Sequence, residues 1–247
     1  MQIASQSRTT SKSAATLLVL SALALATLFA TTHAAAKAKA PAPASVFVPD
    51  KGKFAIQLDG KTVAHEEFEI SPSAGGWVAK GTTELKVPQT PASTVSGTLT
   101  LQPDGTPISY QWTSQAEQTN GAHILFANGV AKVTLEMQGA RPFEQDMSFN
   151  TPLVVILDNN LYHQYAVLAR LYDWSKGGAQ SFPVLIPQEL TPGSITIEST
   201  GSATVGGKSY ESLRATTSDI EVLLYLDKEH RLDRVEVPSA KVTITRE

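Results

Sequence analysis

The densest group of residues that could bind a metal or transfer a proton surrounds a histidine in the first third of the chain. It comprises His65, Glu66, Glu67 and Glu69. If this segment is a strand, its alternation separates Glu66, which then lies beside Phe68, from the other three. His65 and Glu67 could bind a metal ion together with a third ligand from elsewhere. The alternative is a solvated outer strand face. We favour it because neither a helical His-x-x-x-His pair nor a cysteine pair accompanies the segment, so the sequence predicts no metal site.

A second segment, Gly201–Ser209, is similar in composition to a phosphate-binding loop. That motif has four residues between its first glycine and Gly-Lys-Ser/Thr, whereas five residues separate Gly201 from Gly207 here. The residues after Lys208 favour a strand, so no helix N-terminus would face a phosphate. A hairpin turn at Gly206-Gly207 explains the segment, and we predict no cofactor.

Hydrolytic chemistry has little support in the sequence. A serine hydrolase usually carries its nucleophile in Gly-x-Ser-x-Gly, and this motif is absent. Three histidines could each pair with an acid in the fold, namely His123, His163 and His230, but no pattern selects one of them. His230 lies in a polar segment typical of an exposed turn. His163 lies off the apolar stripe described below, so we expect it to be exposed to solvent. The prediction is therefore a protein without enzymatic activity.

Aromatic residues are concentrated in one stretch of a chain that contains only 7% of them. Tyr162, Tyr165, Tyr172 and Trp174 all fall within residues 162–174. Amphipathic rings suit a binding site that is apolar with a polar mouth, and ordinary packing of a helix on a sheet is the alternative. The predicted ligand-binding residues are Tyr162, Tyr165, Leu168 and Tyr172.

The same stretch, Leu153–Trp174, is the one convincing helical pattern after the N-terminal segment. Asp158, Asn159 and Asn160 can supply an N-cap. Apolar residues then recur at spacings of four, three and four, at Leu161, Tyr165, Leu168 and Tyr172. Gly177-Gly178 would end the helix. We predict an amphipathic helix over Asn159–Trp174.

Most of the remaining sequence alternates apolar and polar residues between tight turns, which predicts about a dozen strands. Hairpin tips are expected at five glycines: Gly60, Gly105, Gly121, Gly129 and Gly207. A meander of this length must curl, split or close because strands twist. The predicted fold is therefore all-β with one helix: a strongly curved antiparallel sheet or incomplete barrel, with the helix against its concave side. A two-sheet sandwich with a peripheral helix is the alternative.

The first 36 residues have the pattern of a secretory signal peptide. Arg8 and Lys12 precede the apolar run Ala14–Ala30, and small residues at 34–36 suit cleavage. An uncleaved anchor helix is the alternative. We predict a signal peptide over residues 1–36, a flexible Ala/Lys/Pro tether over 37–52 and a single β-rich domain over 53–247. The expected location is periplasmic or secreted, without an integral membrane segment after cleavage.

Composition narrows the possible partners. The formal net charge is −3, and it falls to −5 without the two basic residues of the export segment. An acidic protein has no electrostatic footprint for nucleic acid. The chain contains no cysteine, so an exported form must be stable without disulfides, which suits a bacterial periplasm.

Three phrases together resemble exported bacterial β-rich domains of unknown function, in the half-barrel style of the lipoprotein carriers LolA and LolB. They are FAIQLDGKTVAHEEFEI (Phe54–Ile70), LTLQPDGTPISYQW (Leu99–Trp112) and SFPVLIP (Ser181–Pro187) after the helix. The resemblance implies binding through an apolar concave surface, with no fixed motif residue to carry over. The missing cysteine separates the chain from the lipid-anchored LolB-like branch.

The leading functional hypothesis is a non-catalytic periplasmic protein that binds or carries a lipid or other apolar ligand between the sheet and the helix. The alternative is a structural or interaction module of the cell envelope with a filled core. A hydrolase is the least favoured hypothesis.

Overall fold

The computed structural model describes residues 44–86 and 91–247, which form 15 strands, one α-helix and two short 3-10 helices. The strands are β1 Asp50–Leu58, β2 Lys61–Ser73, β3 Gly76–Leu85, β4 Ser93–Leu101, β5 Pro107–Gln115, β6 Thr119–Ala127, β7 Val130–Met137, β8 Phe143–Ser148, β9 Val155–Ile156, β10 Gln180–Ile186, β11 Thr191–Val205, β12 Lys208–Thr216, β13 Glu221–Leu226, β14 Leu232–Val237 and β15 Val242–Arg246. The helix α1 is His163–Leu171, and the 3-10 helices are Pro187–Glu189 and Pro238–Ala240.

All 15 strands belong to one sheet made of two meanders. The order runs from β8 back to β1 and then from β15 back to β9. Neighbours are antiparallel except for β9 and β10, which pair in parallel. β8 and β9 are the two edges, so the sheet does not close on itself. The predicted unclosed, curved sheet with one helix is confirmed. The two-sheet sandwich is wrong, because the hydrogen-bonded ladder is continuous from one edge to the other.

Paired residues on neighbouring strands point to the same face of the sheet. The core lies on the face to which the paired apolar residues point. One transverse set of register partners crosses β2 to β8, and we call it the concave row: Phe68, Gly81, Gly97, Trp112, Ala122, Leu135 and Phe143. Trp112 and Ala122 are buried, Leu135 is half-buried and Phe143 is 47% exposed. The concave row therefore becomes more accessible toward the β8 edge.

The helix lies inside the curve of the sheet. It contacts both β3 and β14, although β2, β1 and β15 separate these strands in the sheet. At its C-terminal end, Leu171 reaches the turn between β4 and β5. There a Cβ atom on Gly105 would lie 2.2 Å from Leu171 Cδ2. A helix that touches strands so far apart is held against the concave side, as predicted.

The helix is shorter than the predicted Asn159–Trp174. Val155–Ile156, which precede the predicted helix, pair with β10 as a strand. Residues 157–162 then form a turn, and α1 begins at His163 and ends at Leu171. Sheet pairing thus uses the apolar residues before the helix, and the side chains of Asp158 and Asn159 bond to groups outside α1.

Four of the five predicted hairpin glycines lie in turns with positive φ: Gly60, Gly105, Gly129 and Gly207. Gly121 does not. It lies within β6 opposite Thr113, and the turn comes earlier, at residues 116–118. A Cβ atom at Gly121 would approach the backbone oxygen of Trp112 to 2.8 Å. This glycine therefore permits a close approach of strands, and the prediction of a turn there is wrong.

The predicted signal peptide over residues 1–36 lies outside the described residues, as does the first part of the predicted tether. Within the rest of the tether, Phe47 is buried against Trp77, with ring centroids 5.7 Å apart, and β1 begins at Asp50. Neither α1 nor any other helix of the described residues is long and apolar enough to span a bilayer.

Candidate functional site

A fully enclosed pair, Glu66 and His163, joins β2 to the helix. Both side chains are 0% exposed, and His163 Nδ1 lies 2.5 Å from Glu66 Oε1. The same carboxyl group accepts hydrogen bonds from the backbone amides of Tyr162 at 2.8 Å and His163 at 3.2 Å. The helix has no side-chain cap of its own and no acidic residue in its first turn. Glu66 therefore caps α1 from the sheet and satisfies amides that a helix start leaves free.

Two glycines of the concave row make room for this contact. A Cβ atom on Gly81 would lie 2.2 Å from His163 Nδ1 and 2.6 Å from Glu66 Oε1. On the next strand, a Cβ atom on Gly97 would lie 2.6 Å from Leu161 Cδ1. The Phe68 ring stacks beside His163 with centroids 6.4 Å apart. Since the imidazole is enclosed on these sides and has no exposed surface, we assign the Glu66–His163 pair to holding the helix.

A second buried network fixes the turn before α1. Tyr110 donates to Asp158 at 2.9 Å, and Gln164 Nε2 donates to the Tyr110 hydroxyl at 3.1 Å. Asp158 also accepts from the backbone amide of Gln188 at 3.0 Å. Burial raises the pKa of Asp158 to about 6, although these hydrogen bonds act in the opposite direction. Burial also raises the pKa of Tyr110 well above its usual value. Through Tyr110 and the Asp158 carboxyl group, the network links β5, α1 and the 3-10 helix Pro187–Glu189.

Two expectations about these residues are wrong. His163 is buried rather than exposed to solvent, because Glu66 and the space at Gly81 receive its ring. Asp158 does not cap the helix, because its side chain bonds to Tyr110 and to the Gln188 amide. One signal is present in the sequence: Glu66 shares the strand phase of the apolar residue Phe68, which indicates the buried side of β2. Nothing local to Glu66 indicates its partner.

The four predicted ligand-binding residues fall into two pairs. Leu168 is 0% exposed and Tyr172 is 3% exposed, and the Tyr172 hydroxyl donates to the Gly178 carbonyl at 3.0 Å. Tyr162 and Tyr165 are half-buried, and their rings stack with centroids 6.4 Å apart. Burial raises the pKa of both phenols to about 12, so both are neutral near pH 7. Ligand binding by any of the four stays a prediction.

Apolar side chains remain partly exposed at one end of the concave face, the end with the β1–β2 and β7–β8 turns. We call this set the apolar mouth: Leu58, Leu135, Met137, Phe143 and Val242. Leu58 pairs with Val242 and continues the inward series of Phe54 and Ile56. Leu58 is 41%, Met137 49% and Phe143 47% exposed. Here the face that is core elsewhere opens to solvent.

Other polar clusters are better explained as surface networks. A cleft of about 560 Å³ has four lining carboxylates, and three of them already face cations, in Asp50–Arg246, Asp227–Arg231 and Asp233–Lys208. His65 and Glu67 lie on the outer face, with side chains 44% and 78% exposed. No cluster of three or more potential metal ligands occurs in the described residues.

Comparison with known proteins shows a similar fold and assigns no function. No protein-family model matches the chain, and no curated protein matches it. The fold is similar to the crystal structure of a β-barrel-like protein of the domain of unknown function DUF1849 from Brucella abortus. The TM-score is 0.54 at 9% identity, over 81% of this chain and 95% of that one. A DUF1089 family protein from Pseudomonas aeruginosa aligns over 73% of this chain and 91% of that one, with a TM-score of 0.45 and 11% identity.

Proposed function

We propose that the protein is a non-catalytic binding protein that holds an amphipathic ligand with an apolar chain, such as a lipid, at the apolar mouth. The observation that carries the proposal is the exposure of Leu58, Met137 and Phe143 on the inward face of the sheet. Exposed apolar patches on a folded protein mark binding sites for partners or ligands. The β-barrel-like neighbour, itself of unknown function, is compatible with a binding module.

The buried hydrogen bonds of Glu66 and Asp158 support binding because they fix the helix before a ligand arrives. Glu66 and Asp158 hold the start of α1 and the turn before it, and Tyr162 and Tyr165 lie at this held end. A surface that is already ordered loses less entropy on binding. Neutral phenols offer a ligand both ring faces and hydroxyl groups.

A structural or interaction module is the second candidate, and the packed interior favours it. Leu161 is 1% and Leu168 0% exposed, so this part of the helix–sheet contact needs no ligand to fill it. β8 is also an edge strand, and an open edge can pair with another strand.

Export belongs to the same proposal and is supported by the sequence of residues 1–36 alone. A signal peptide would place the protein in the periplasm, where an exported lipid-binding module would meet its ligand.

The test has two steps. Mass spectrometry of an organic extract of the purified protein should detect a co-purified lipid. Thermal unfolding with and without a lysophospholipid should then compare wild type with Tyr165→Ala. Tyr210→Ala is the matched control, because Tyr210 belongs to a second tyrosine pair, with Tyr225, on the outer face. A ligand that binds only the folded state adds about 2.7 kcal/mol of stability at a concentration of 100 times Kd.

We expect the lysophospholipid to raise the Tm of wild type and Tyr210→Ala, and to raise that of Tyr165→Ala less. An extract without lipid, together with no Tm change in any of the three proteins, would reject binding and leave the structural candidate.

A further inference from the structure

Trp112 presents a buried hydrogen-bond donor for which the described part of the chain supplies no acceptor. Its side chain is 7% exposed and lies in the concave row between the smaller residues Gly97 and Ala122. The indole Nε1 is buried and has no hydrogen-bond partner among the described residues. Buried N–H groups nearly always have a partner. This donor therefore points to an acceptor that comes from outside the described chain.

On the side of Trp112 that faces the apolar mouth, the neighbouring polar groups of the concave face are uncharged. The neighbouring row toward the apolar mouth contains Val95, Ser114, Asn120 and Met137 in register. Ser114 and Asn120 are half-buried, and they place a hydroxyl and an amide in the row next to Trp112. Glu66 lies farther along the same row, on β2, but its carboxyl group is already bonded to His163 and to the helix amides. These surroundings favour a neutral polar group over an ion.

An apolar path leads from this polar patch to the sheet edge. It follows the concave row from Trp112 through Ala122 and Leu135 to Phe143. The path crosses three strand spacings, or about 14 Å. Its exposure rises along the way to 47% at Phe143. An apolar chain lying here would cover residues that solvent now reaches.

We infer that Trp112 donates a hydrogen bond from its indole N–H to an uncharged, oxygen-bearing head group of an amphiphile, such as an ester, amide or hydroxyl. Ser114 and Asn120 lie beside this head group, and the apolar chain runs toward Phe143. The inference rests on the proposed function and names the ligand class for the same concave face.

The test uses 1-monododecanoylglycerol as the neutral probe and dodecanoate as the charged probe of equal chain length. Their dissociation constants are measured by titration calorimetry for wild type, Trp112→Phe and Trp77→Phe. Phenylalanine keeps an aromatic ring but removes the donor, and Trp77 is a matched control because it is also buried, at 8% exposure. Loss of one hydrogen bond corresponds to a loss of affinity of roughly tenfold.

We expect wild type to bind the monoacylglycerol more tightly than dodecanoate. We expect Trp112→Phe to bind the monoacylglycerol roughly tenfold more weakly, and Trp77→Phe to bind it as wild type does. Equal affinity of wild type and Trp112→Phe overturns the role of Trp112 and leaves the proposed function intact. Tighter binding of dodecanoate by wild type overturns the neutral head group. If wild type binds neither probe, the proposed function itself fails.

A second measurement decides the case if Trp112→Phe does not fold. The chain has three tryptophans, so ¹⁵N-labelled wild type gives three indole signals, assigned with Trp77→Phe and Trp174→Phe. On saturation with the monoacylglycerol, the Trp112 signal should move downfield and its proton should exchange more slowly with solvent. An unchanged Trp112 signal at saturation overturns the inference and leaves an internal water molecule as the partner of this N–H.

Discussion

A single added methyl group at Gly81 is expected to disturb the Glu66–His163 pair that holds the helix. The Cβ atom of Gly81→Ala would lie 2.2 Å from His163 Nδ1 and 2.6 Å from Glu66 Oε1. Both atoms belong to fully buried side chains that are hydrogen-bonded to each other, so neither can move aside without breaking the contact. Overpacking a core costs about 1–3 kcal/mol, and leaving a buried polar group unpaired costs a further 1–3 kcal/mol or so. The expected loss is roughly 2–6 kcal/mol.

Urea unfolding of wild type and Gly81→Ala measures this loss directly. Gly193→Ala in β11 is the matched control, because its Cβ atom would meet only Val184 Cγ1, at 3.5 Å. This substitution should change stability by less than about 1 kcal/mol. Replacing His163 by alanine removes one obstructing ring. The effects of Gly81→Ala and His163→Ala should therefore be less than additive, by about 0.5–3 kcal/mol. If Gly81→Ala is as stable as Gly193→Ala, the geometry assigned to the Glu66–His163 pair is wrong.

Two further predictions concern the network and the core. Burial raises the pKa of Asp158 to about 6 from 3.8, so the ionised carboxylate destabilises the fold. The stability that the protonated group contributes at low pH is lost as the pH rises through about 6. The stability of wild type relative to Asp158→Asn should therefore fall by about 2 kcal/mol between pH 4 and pH 7; a difference that stays constant in urea unfolding across this range would contradict the assignment. Leu168→Ala should cost about 2–5 kcal/mol through the cavity it leaves, because Leu168 is 0% exposed. A loss below about 1 kcal/mol in thermal unfolding would instead indicate a loosely held lid.

Alternation along the strands was sufficient to predict the sheet and its buried face. Phe54 and Ile56 point inward as their phase requires, because a strand with one buried face must place every second residue in the core. Glycine adopts positive φ without a steric penalty, so the turns at Asp59-Gly60 and Asn128-Gly129 were also predictable. These features depend on residues that are close together in the sequence.

The helix anchor could not be predicted, because it depends on residues far apart in the chain. Glu66 and His163 are 97 positions apart, and a histidine off an apolar stripe is usually exposed. The Glu66 side chain replaces a local cap, so the polar residues Asp158–Asn160 predict a helix start that is too early. Gly121 shows the same limit, because its role depends on the backbone of a neighbouring strand.

The pairing of β1 with β15 has a consequence for how the chain is made. These strands are adjacent in the middle of the sheet, although Phe54 and its register partner Arg246 lie near opposite ends of the described chain. During synthesis, β1 to β8 emerge first, and β1 has no neighbour on its second side until the last strand is complete. An unpaired edge is a template for association with other chains, and such long-range pairing forms slowly. The growing polypeptide therefore carries two open edges, β1 and β8, on its first half. A chain that ends before Val242 would keep both edges unpaired.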